Sequence, residues 1–130
     1  IAGFPTEDEA MFANSLKLLD DCDIVFGHVF PFSPRPGTPA ARMPQLDRAL
    51  VRERADQLRS AAAKRKARWL ASLVGTRQNV LVELDGETGH APNFASVTLE
   101  QRAADGNMRG TMIDTLITGT DGQTLAGIPA

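Results

Sequence analysis

Four prolines within nine residues limit what this chain can fold into more than any other feature. Pro31, Pro34, Pro36 and Pro39 each lack a backbone N–H and hold φ at about −65°, so this stretch continues neither a helix nor a central strand. Residues 24–30 before it are mostly apolar and β-branched or aromatic, which predicts a buried strand. We therefore expect a strand that leads into a stiff turn. The residues alone leave open whether this turn is functional or a rigid connector.

A helix is predicted upstream of that strand. Residues 1–5 have the pattern of a strand end, Thr6 and Glu9 match a capping box, and apolar residues recur at i, i+4 and i+7 from Phe12. The helix should end near Asp20. Strand, helix and strand form a βαβ unit, which implies a parallel sheet. Because two strands do not make a stable sheet alone, we expect the remaining strands upstream, in a longer protein.

A long basic helix is predicted after the proline turn, with Asp47 as N-cap and an end near Ala71. Residues 42–71 carry nine Lys and Arg against three acids, whereas residues 1–41 carry two against six and residues 72–130 three against seven. Such a band is typical of a solvated or partner-packing helix face, and it is also what a phosphate-binding surface needs. The apolar face of the helix is expected to comprise Leu50 or Val51, Ala55, Leu58, Ala62 and Trp69.

The sequence changes character from about Leu73. Turn dipeptides such as Asp85-Gly86 recur at short spacing between β-rich runs, which predicts a small antiparallel barrel or sandwich. We place a domain boundary near residues 70–73. The β-rich runs cover residues 79–84, 94–99, 108–118 and 124–128.

We predict no catalytic and no metal-binding residue in this chain. Cys22 is the only cysteine, which excludes an internal disulfide and a cysteine cluster, and it is expected to be an inert buried thiol. His28 is expected to pack in the core. No run of about 18 apolar residues is present, so no membrane-spanning helix is predicted, and a cytoplasmic location is expected.

Two motifs resemble a known family. Gly3-Phe4-Pro5-Thr6-Glu7 and residues 28–43 are similar to the radical S-adenosylmethionine tRNA methylthiotransferases. The proline turn is most similar to the branch that modifies N6-threonylcarbamoyladenosine next to the tRNA anticodon. The tail resembles the TRAM domain that ends these enzymes. The tail motifs are Val80-Leu81-Val82-Glu83, Gly89-His90, Phe94-Ala95-Ser96-Val97 and Leu125-Ala126-Gly127.

The resemblance implies an α/β plus all-β fold. Residues 1–71 would be the last βα units of a partial (β/α) barrel with the long basic helix, and residues 72–130 a five-stranded antiparallel TRAM barrel. The family converts its tRNA base to the 2-methylthio derivative with S-adenosylmethionine and two 4Fe–4S clusters. The C-x3-C-x2-C motif that binds one of those clusters is absent from this sequence. The fragment alone is therefore expected to bind no cofactor and to be inactive.

The partners implied are tRNA and the missing N-terminal part of the same chain. The alternative is a stand-alone RNA-binding or protein-interaction module without catalytic activity. A methylthiotransferase fragment would have the cluster motif upstream in its full reading frame, whereas a stand-alone module would have a start codon close to Ile1.

Site residues follow from the resemblance position by position, although Phe32 replaces a frequent tyrosine of the family. What Arg35 contacts stays open between a phosphate, a carboxylate and the loop itself. The cofactor-binding residues would be Gly3, Phe4, Glu7, Val29, Phe30 and Phe32. The substrate-binding residues would be Ser33, Arg35, Gly37 and Thr38.

The RNA-binding residues are drawn from two places, because the tail is acidic overall. Either the helix band supplies most phosphate contacts, or a few arginines and a stacking ring on the barrel suffice; we expect both to contribute. The candidates are Lys64, Arg65, Lys66, Arg68, Arg77, Phe94, Arg102 and Arg109.

Overall fold

The computed structural model describes residues 1–100 and 108–130, and the chain divides into two compact units, residues 1–65 and 66–130. Helix α2 runs through the division between the units, and the strands belong to the second unit. The helices are α1 (Glu9–Asp21) and α2 (Arg48–Leu73), with a short 3-10 turn at Ala40–Arg42. The strands are β1 (Arg77–Val82), β2 (Thr88–His90), β3 (Ser96–Leu99), β4 (Met112–Thr120) and β5 (Leu125–Pro129).

The start of α1 differs from the prediction. Asp8 is the N-cap, and its side chain accepts a hydrogen bond from the Met11 N–H at 2.8 Å. The predicted capping box of Thr6 and Glu9 is wrong, because Asp8 takes the cap position and Glu9 becomes the first residue of the helix. The end at Asp21 agrees with the predicted end to within one residue.

Helix α2 starts as predicted. The Asp47 carboxylate accepts from the N–H groups of Ala49 at 2.8 Å and Leu50 at 3.3 Å, which satisfies two orphan donors of the first turn. The helix ends at Leu73, two residues beyond the predicted end, and Gly75 follows with φ +84°.

The predicted strand over residues 24–30 is reduced to a single bridge. The Ala2 N–H donates to the Phe30 carbonyl at 3.0 Å, and the Phe32 N–H donates to the Ala2 carbonyl at 2.7 Å. This makes one parallel bridge between Ala2 and Pro31. The direction agrees with a βαβ crossover, but a longer ladder needs neighbouring strands that these residues do not have within the described chain. His28 and Cys22 are exposed, so the predictions that both are buried were wrong.

The first unit buries one apolar cluster between its two helices. Phe12 and Leu19 come from α1, and Ala55, Leu58 and Ala62 come from α2, as their spacing predicted. Ala2 is fully buried in the same cluster.

The second unit is a closed barrel with strand order β1-β2-β3-β5-β4. The neighbouring pairs are antiparallel except β3 and β5, which are parallel, so the predicted all-antiparallel barrel is corrected to a mixed one. Closure itself requires this, since a ring with an odd number of strands cannot alternate direction all the way round. The three-residue strand β2 was not among the predicted β-rich runs.

The barrel core is formed by inward-facing residues at alternate positions. Val80 and Val82 of β1 are buried as their alternation predicted, and Leu70 of α2 is fully buried in the same cluster. Two glycines allow tight packing. A Cβ at Gly89 would lie 2.5 Å from the Leu81 carbonyl oxygen, and a Cβ at Gly127 would lie 2.6 Å from Thr115 Cγ2.

Within the described residues, no helix combines the length and the apolar character needed to cross a membrane.

Candidate functional site

Two clefts of the first unit share the segment of residues 31–33. The first cleft, of about 630 Å³, lies between this segment and the beginning of α2. The second, of about 550 Å³, lies beside the proline turn. The lining of the first includes Gly3, Phe32, Ser33, Gln45, Arg48 and Arg52. The lining of the second includes Ile1, Phe30, Phe32, Ser33, Arg35 and Thr38.

Residues expected to bind the cofactor lie in both clefts and in the apolar cluster of the first unit. Gly3 and Phe32 line the first cleft, and Phe30, 62% exposed, lines the second with Phe32. Phe4 contacts Phe32 edge to face, with ring centroids 5.3 Å apart. Val29 packs against the apolar cluster of the first unit and lines neither cleft.

Gly3 makes a tight turn against α2. Its φ is +81°, and a Cβ there would lie 2.6 Å from Val51 Cγ2. Its N–H donates to Glu7 Oε1 at 3.0 Å. No other residue fits this position without strain or overlap, so the turn holds the wall of the first cleft close to the helix.

Arg54 anchors this turn from the buried side of α2. Its Nη1 donates to Glu7 Oε1 and to the Glu7 carbonyl, each at 2.9 Å, and its Nη2 donates to Glu9 Oε2 at 3.1 Å. The guanidinium carbon also lies 5.2 Å from the centroid of the Phe12 ring. The side chains of Arg54 and Glu7 are only 6% and 9% exposed, so the Glu7 carboxylate is committed to protein donors.

Burial and pairing act on Arg54 in opposite directions. Desolvation lowers the pKa of Arg54, but hydrogen bonds to Glu9 and Glu7 outweigh it and hold the pKa above its usual value. Its Nε is buried without a hydrogen-bond partner among the described residues. The sequence alone did not identify this anchor, because Arg54 is one of nine basic residues in the band of residues 42–71. Its interruption of the apolar spacing between Val51 and Leu58 was the available signal.

The proline turn is held by Thr38. Its hydroxyl donates to the Arg35 carbonyl at 2.8 Å and accepts from the Ala41 N–H at 3.3 Å, which ties the proline turn to the 3-10 turn. Gly37 has φ +85° with open space around it, and it lines neither cleft. The exposed Arg35 side chain therefore projects from a turn whose backbone is fixed.

The basic band of α2 is partly neutralised within the protein. In the first unit, Arg65 forms an ion pair with Asp23, and Lys64 is exposed. In the second unit, hydrogen bonds from the backbone N–H groups of Thr124 and Gln123 lower the pKa of Asp121, and the charge of Lys66 adds to this. Arg68 is exposed.

The arginines of the barrel lie in different surroundings. Arg77 pairs with Asp114 at 2.9 Å on the outer surface. Arg109 lies beside Gly86, in the turn that connects β1 and β2. A hydrogen bond from Thr88 is the main cause that lowers the pKa of Asp85 in this turn to about 2, and the charge of Arg109 contributes. Arg102 lies outside the described residues.

A row of side chains crosses four strands on the outer face of the barrel. Met112, Leu81, His90 and Ser96 are successive cross-strand partners on β4, β1, β2 and β3, and we call them the outer row. Phe94, 76% exposed with φ +65°, stands between β2 and β3 at the end of this row. The sequence identified Phe94 alone; the outward half of the alternation around Val80 and Val82 also predicts Leu81 at this face.

His90 is held within the outer row. Its Nδ1 lies 2.8 Å from Glu83 Oε1, and its Nε2 lies 3.2 Å from Ser96 Oγ, within hydrogen-bonding distance. The imidazole is therefore fixed by neighbours on both sides and presents its ring beside the exposed Leu81.

The chain's donor set does not fit an iron–sulfur cluster. Cys22 is its one cysteine and is exposed on its own. Among the described residues, no three His, Cys, Asp or Glu side chains are placed to hold a metal ion.

Several named proteins align with most of this chain. A threonylcarbamoyladenosine tRNA methylthiotransferase MtaB from Rickettsia prowazekii is 39% identical over 83% of the chain and 25% of its own length. A tRNA-2-methylthio-N(6)-dimethylallyladenosine synthase from Chromobacterium violaceum is 40% identical over 98% of the chain and 30% of its own length. A synthase of the same name from Erythrobacter litoralis is 37% identical over 83% of the chain and 26% of its own length.

The chain thus spans about a quarter to a third of the length of the curated relatives it matches. No protein-family model matches it. The agreement with the relatives extends over both units, since the second alignment covers 98% of the chain. The chain therefore belongs to the tRNA methylthiotransferase family.

Proposed function

We propose that this chain is the C-terminal part of an enzyme that converts N6-threonylcarbamoyladenosine in tRNA to its 2-methylthio derivative. The observation that carries the proposal is identity of 37–40% with named tRNA-methylthiolating enzymes over 83–98% of the chain. Within that enzyme, residues 1–71 would contribute to the cofactor and substrate pocket and residues 72–130 to tRNA binding. The fragment alone would be inactive because it lacks the cluster-binding cysteines.

The choice of base rests on the proline turn. The relatives named above include both threonylcarbamoyladenosine and dimethylallyladenosine enzymes, at 39% and 40% identity, so overall similarity favours neither. The turn sequence from Pro31 to Pro39 most resembles the threonylcarbamoyladenosine branch and supports that substrate.

The two clefts support a nucleoside pocket. In the complete enzyme, S-adenosylmethionine together with 4Fe–4S clusters would supply radical chemistry and a methyl group. Phe30 offers an exposed ring face on which a base can stack, and Phe32 forms part of the wall of both clefts. Glu7 acts indirectly in this proposal, since its carboxylate holds the Gly3 turn in place. The exposed Arg35 would face the substrate from the second cleft.

The outer row supports tRNA binding by the barrel. Oligonucleotide-binding folds are five-stranded Greek-key barrels that bind nucleic acid on the face of strands 2 and 3 and on neighbouring loops. Here that face presents His90 and Ser96, with Phe94 in the connecting loop and Leu81 on the adjacent strand. Base stacking and apolar contact are uncharged interactions, so in this proposal the acidic barrel would contribute stacking and the basic helix band would supply most phosphate contacts.

The test of the reaction uses the complete protein in cells that lack their own tRNA methylthiotransferases. Mass spectrometry of tRNA nucleosides should detect 2-methylthio-N6-threonylcarbamoyladenosine. The 130-residue chain expressed alone should give none. Formation of the dimethylallyl product would overturn the substrate, and the absence of any methylthio nucleoside would overturn the activity.

The test of the RNA surface uses tRNA binding to the complete protein. Phe94→Ala should weaken binding by roughly 5- to 100-fold, because a stacked base contributes about 1–3 kcal/mol. Met11→Ala, which removes an exposed apolar side chain of α1, is the matched control. Equal affinity of the two variants would show that Phe94 is not a stacking residue.

The helix band has its own test. Lys64, Arg65, Lys66 and Arg68 changed together to Gln should reduce the salt dependence of tRNA binding, because fewer counterions are released. An unchanged salt slope would move the phosphate contacts to the barrel.

A further inference from the structure

The lining of the first cleft includes two arginines to which the family resemblance gave no role. Arg48 and Arg52 line it from the first two turns of α2. They are four residues apart, so both side chains lie on the same face of the helix. Both are exposed, and neither has an ion pair or side-chain hydrogen bond among the described residues. They present free guanidinium donors to the cleft.

The other polar groups of this lining leave the positive charge in excess. Asp47 is the one acid among the described residues of the lining, and its Oδ1 accepts two N–H groups of α2. The Gln45 side-chain amide already donates to the carbonyls of Ala40 at 2.9 Å and Met43 at 2.7 Å. Ser33 adds a hydroxyl. Two guanidinium groups and one capped carboxylate make a site for an anion.

The rest of the lining is apolar. Pro31, Phe32, Pro34, Leu46 and Val51 form this part. A ligand with a small aliphatic body and a carboxylate would match both parts, and guanidinium groups bind carboxylates with paired hydrogen bonds. The threonylcarbamoyl group has this chemistry, because it carries a methyl, a hydroxyl and a carboxylate. The dimethylallyl group has no charged atom.

We propose that the first cleft binds the carboxylate of the threonylcarbamoyl group, with Arg48 and Arg52 as its hydrogen-bond donors. This inference rests on the proposed function and names the residues that select its substrate. An uncharged side chain of the base would leave both guanidinium groups without an acceptor, so the cleft favours the charged modification.

The experiment measures binding rather than turnover, with the complete protein and two forms of the same tRNA. One form carries N6-threonylcarbamoyladenosine, and the other carries unmodified adenosine at that position. The wild-type protein should prefer the modified form. Arg48→Gln with Arg52→Gln should remove roughly 10- to 100-fold of affinity for the modified form and leave the unmodified form unchanged.

The control is Arg42→Gln, which removes an exposed arginine of the same unit that lines neither cleft. It should retain the wild-type preference. Circular dichroism of each variant checks that α2 is intact, as expected for exposed positions.

The remaining outcomes distinguish binding of the carboxylate from binding of backbone phosphates. They also distinguish failure of the carboxylate site from failure of the proposed substrate. Equal loss on both tRNA forms, with a shallower salt slope, would assign the arginines to backbone phosphates and overturn the carboxylate site. A preference that persists in the double variant would also overturn it while leaving the proposed function standing. A wild-type protein without any preference would instead contradict the proposed substrate.

Discussion

The two units of this chain hold their cores together by different means. In residues 66–130 each strand pairs on both sides, so the barrel has no free edge and its order comes from backbone hydrogen bonds. In residues 1–65 the extended segments share a single bridge, and a buried arginine connects the Gly3 turn to α2. The barrel closes by backbone pairing around a packed apolar core, whereas the first unit adds one set of buried polar contacts to its apolar cluster.

The largest effect is expected when that polar anchor is removed. Arg54→Ala leaves the buried Glu7 carboxylate without its charged partner, which should lower the free energy of unfolding by about 3–5 kcal/mol. Urea unfolding followed by far-ultraviolet circular dichroism measures this. Arg59→Ala removes an exposed arginine paired with Asp56 and should cost about 1 kcal/mol or less. Similar stability of the two variants would contradict the anchor.

The barrel should lose stability when a buried side chain is shortened. Ile117→Ala opens a cavity beside fully buried neighbours and should lower the free energy of unfolding by about 2–5 kcal/mol. The fluorescence of Trp69, which packs against the barrel core, reports this transition. Met112→Ala, on the outer face, should change it by about 0.5 kcal/mol or less. Equal effects of the outward and inward substitutions would mean that the stability of the barrel does not depend on the packing of its core.

A pair of glycines separates backbone strain from close packing in the first unit. Gly3→Ala and Gly37→Ala both place a side chain at positive φ, but only the first meets a neighbour, Val51 at 2.6 Å. We expect Gly3→Ala to be less stable than Gly37→Ala by about 1–3 kcal/mol. Thermal unfolding of both variants gives the difference. Equal loss would mean that α2 shifts freely away from the turn.

The smallest predicted effect concerns the turn between β1 and β2. The lowered pKa of Asp85 means that its ionised form is favoured in the folded state, chiefly by a hydrogen bond from Thr88. This stabilisation is present above a pH of about 4 and is lost as the pH falls toward about 2. Asp85→Asn should therefore be less stable than wild type at neutral pH, and the difference should shrink on acidification. Urea midpoints from Trp69 fluorescence that stay equally separated at acidic pH would contradict this assignment.

The sequence was informative wherever local rules decide the structure. The alternation of Val80 and Val82 predicted β1, Asp47 predicted the start of α2, and the apolar spacing from Phe12 predicted the buried face of α1. The family motifs predicted a helix joined to a small five-stranded barrel. The first three of these features depend on residues within a few positions of one another, whereas the family motifs extend from Gly3 to Gly127.

Long-range partners account for what the sequence did not predict. Arg54 is buried with acceptors from Glu7 and Glu9, which are 47 and 45 residues away in the sequence. Strand β2 has three residues, too few to show a period of two. The positions of Arg48 and Arg52 beside Ser33 depend on how the proline turn folds back onto α2. Apart from the interruption of the apolar spacing at Arg54, these features leave no signature at the residue concerned.

The strand order of the barrel indicates which parts of it can fold first. The strands β1, β2 and β3 form a local meander, and β4 with β5 form a local hairpin, so each piece can assemble early. The two pieces then join along two seams, β1 with β4 and the parallel pair β3 with β5. We expect this docking to limit the folding rate of the barrel. A substitution at Val97, which pairs with Leu125 across the parallel seam, would then change chiefly the folding rate of the barrel.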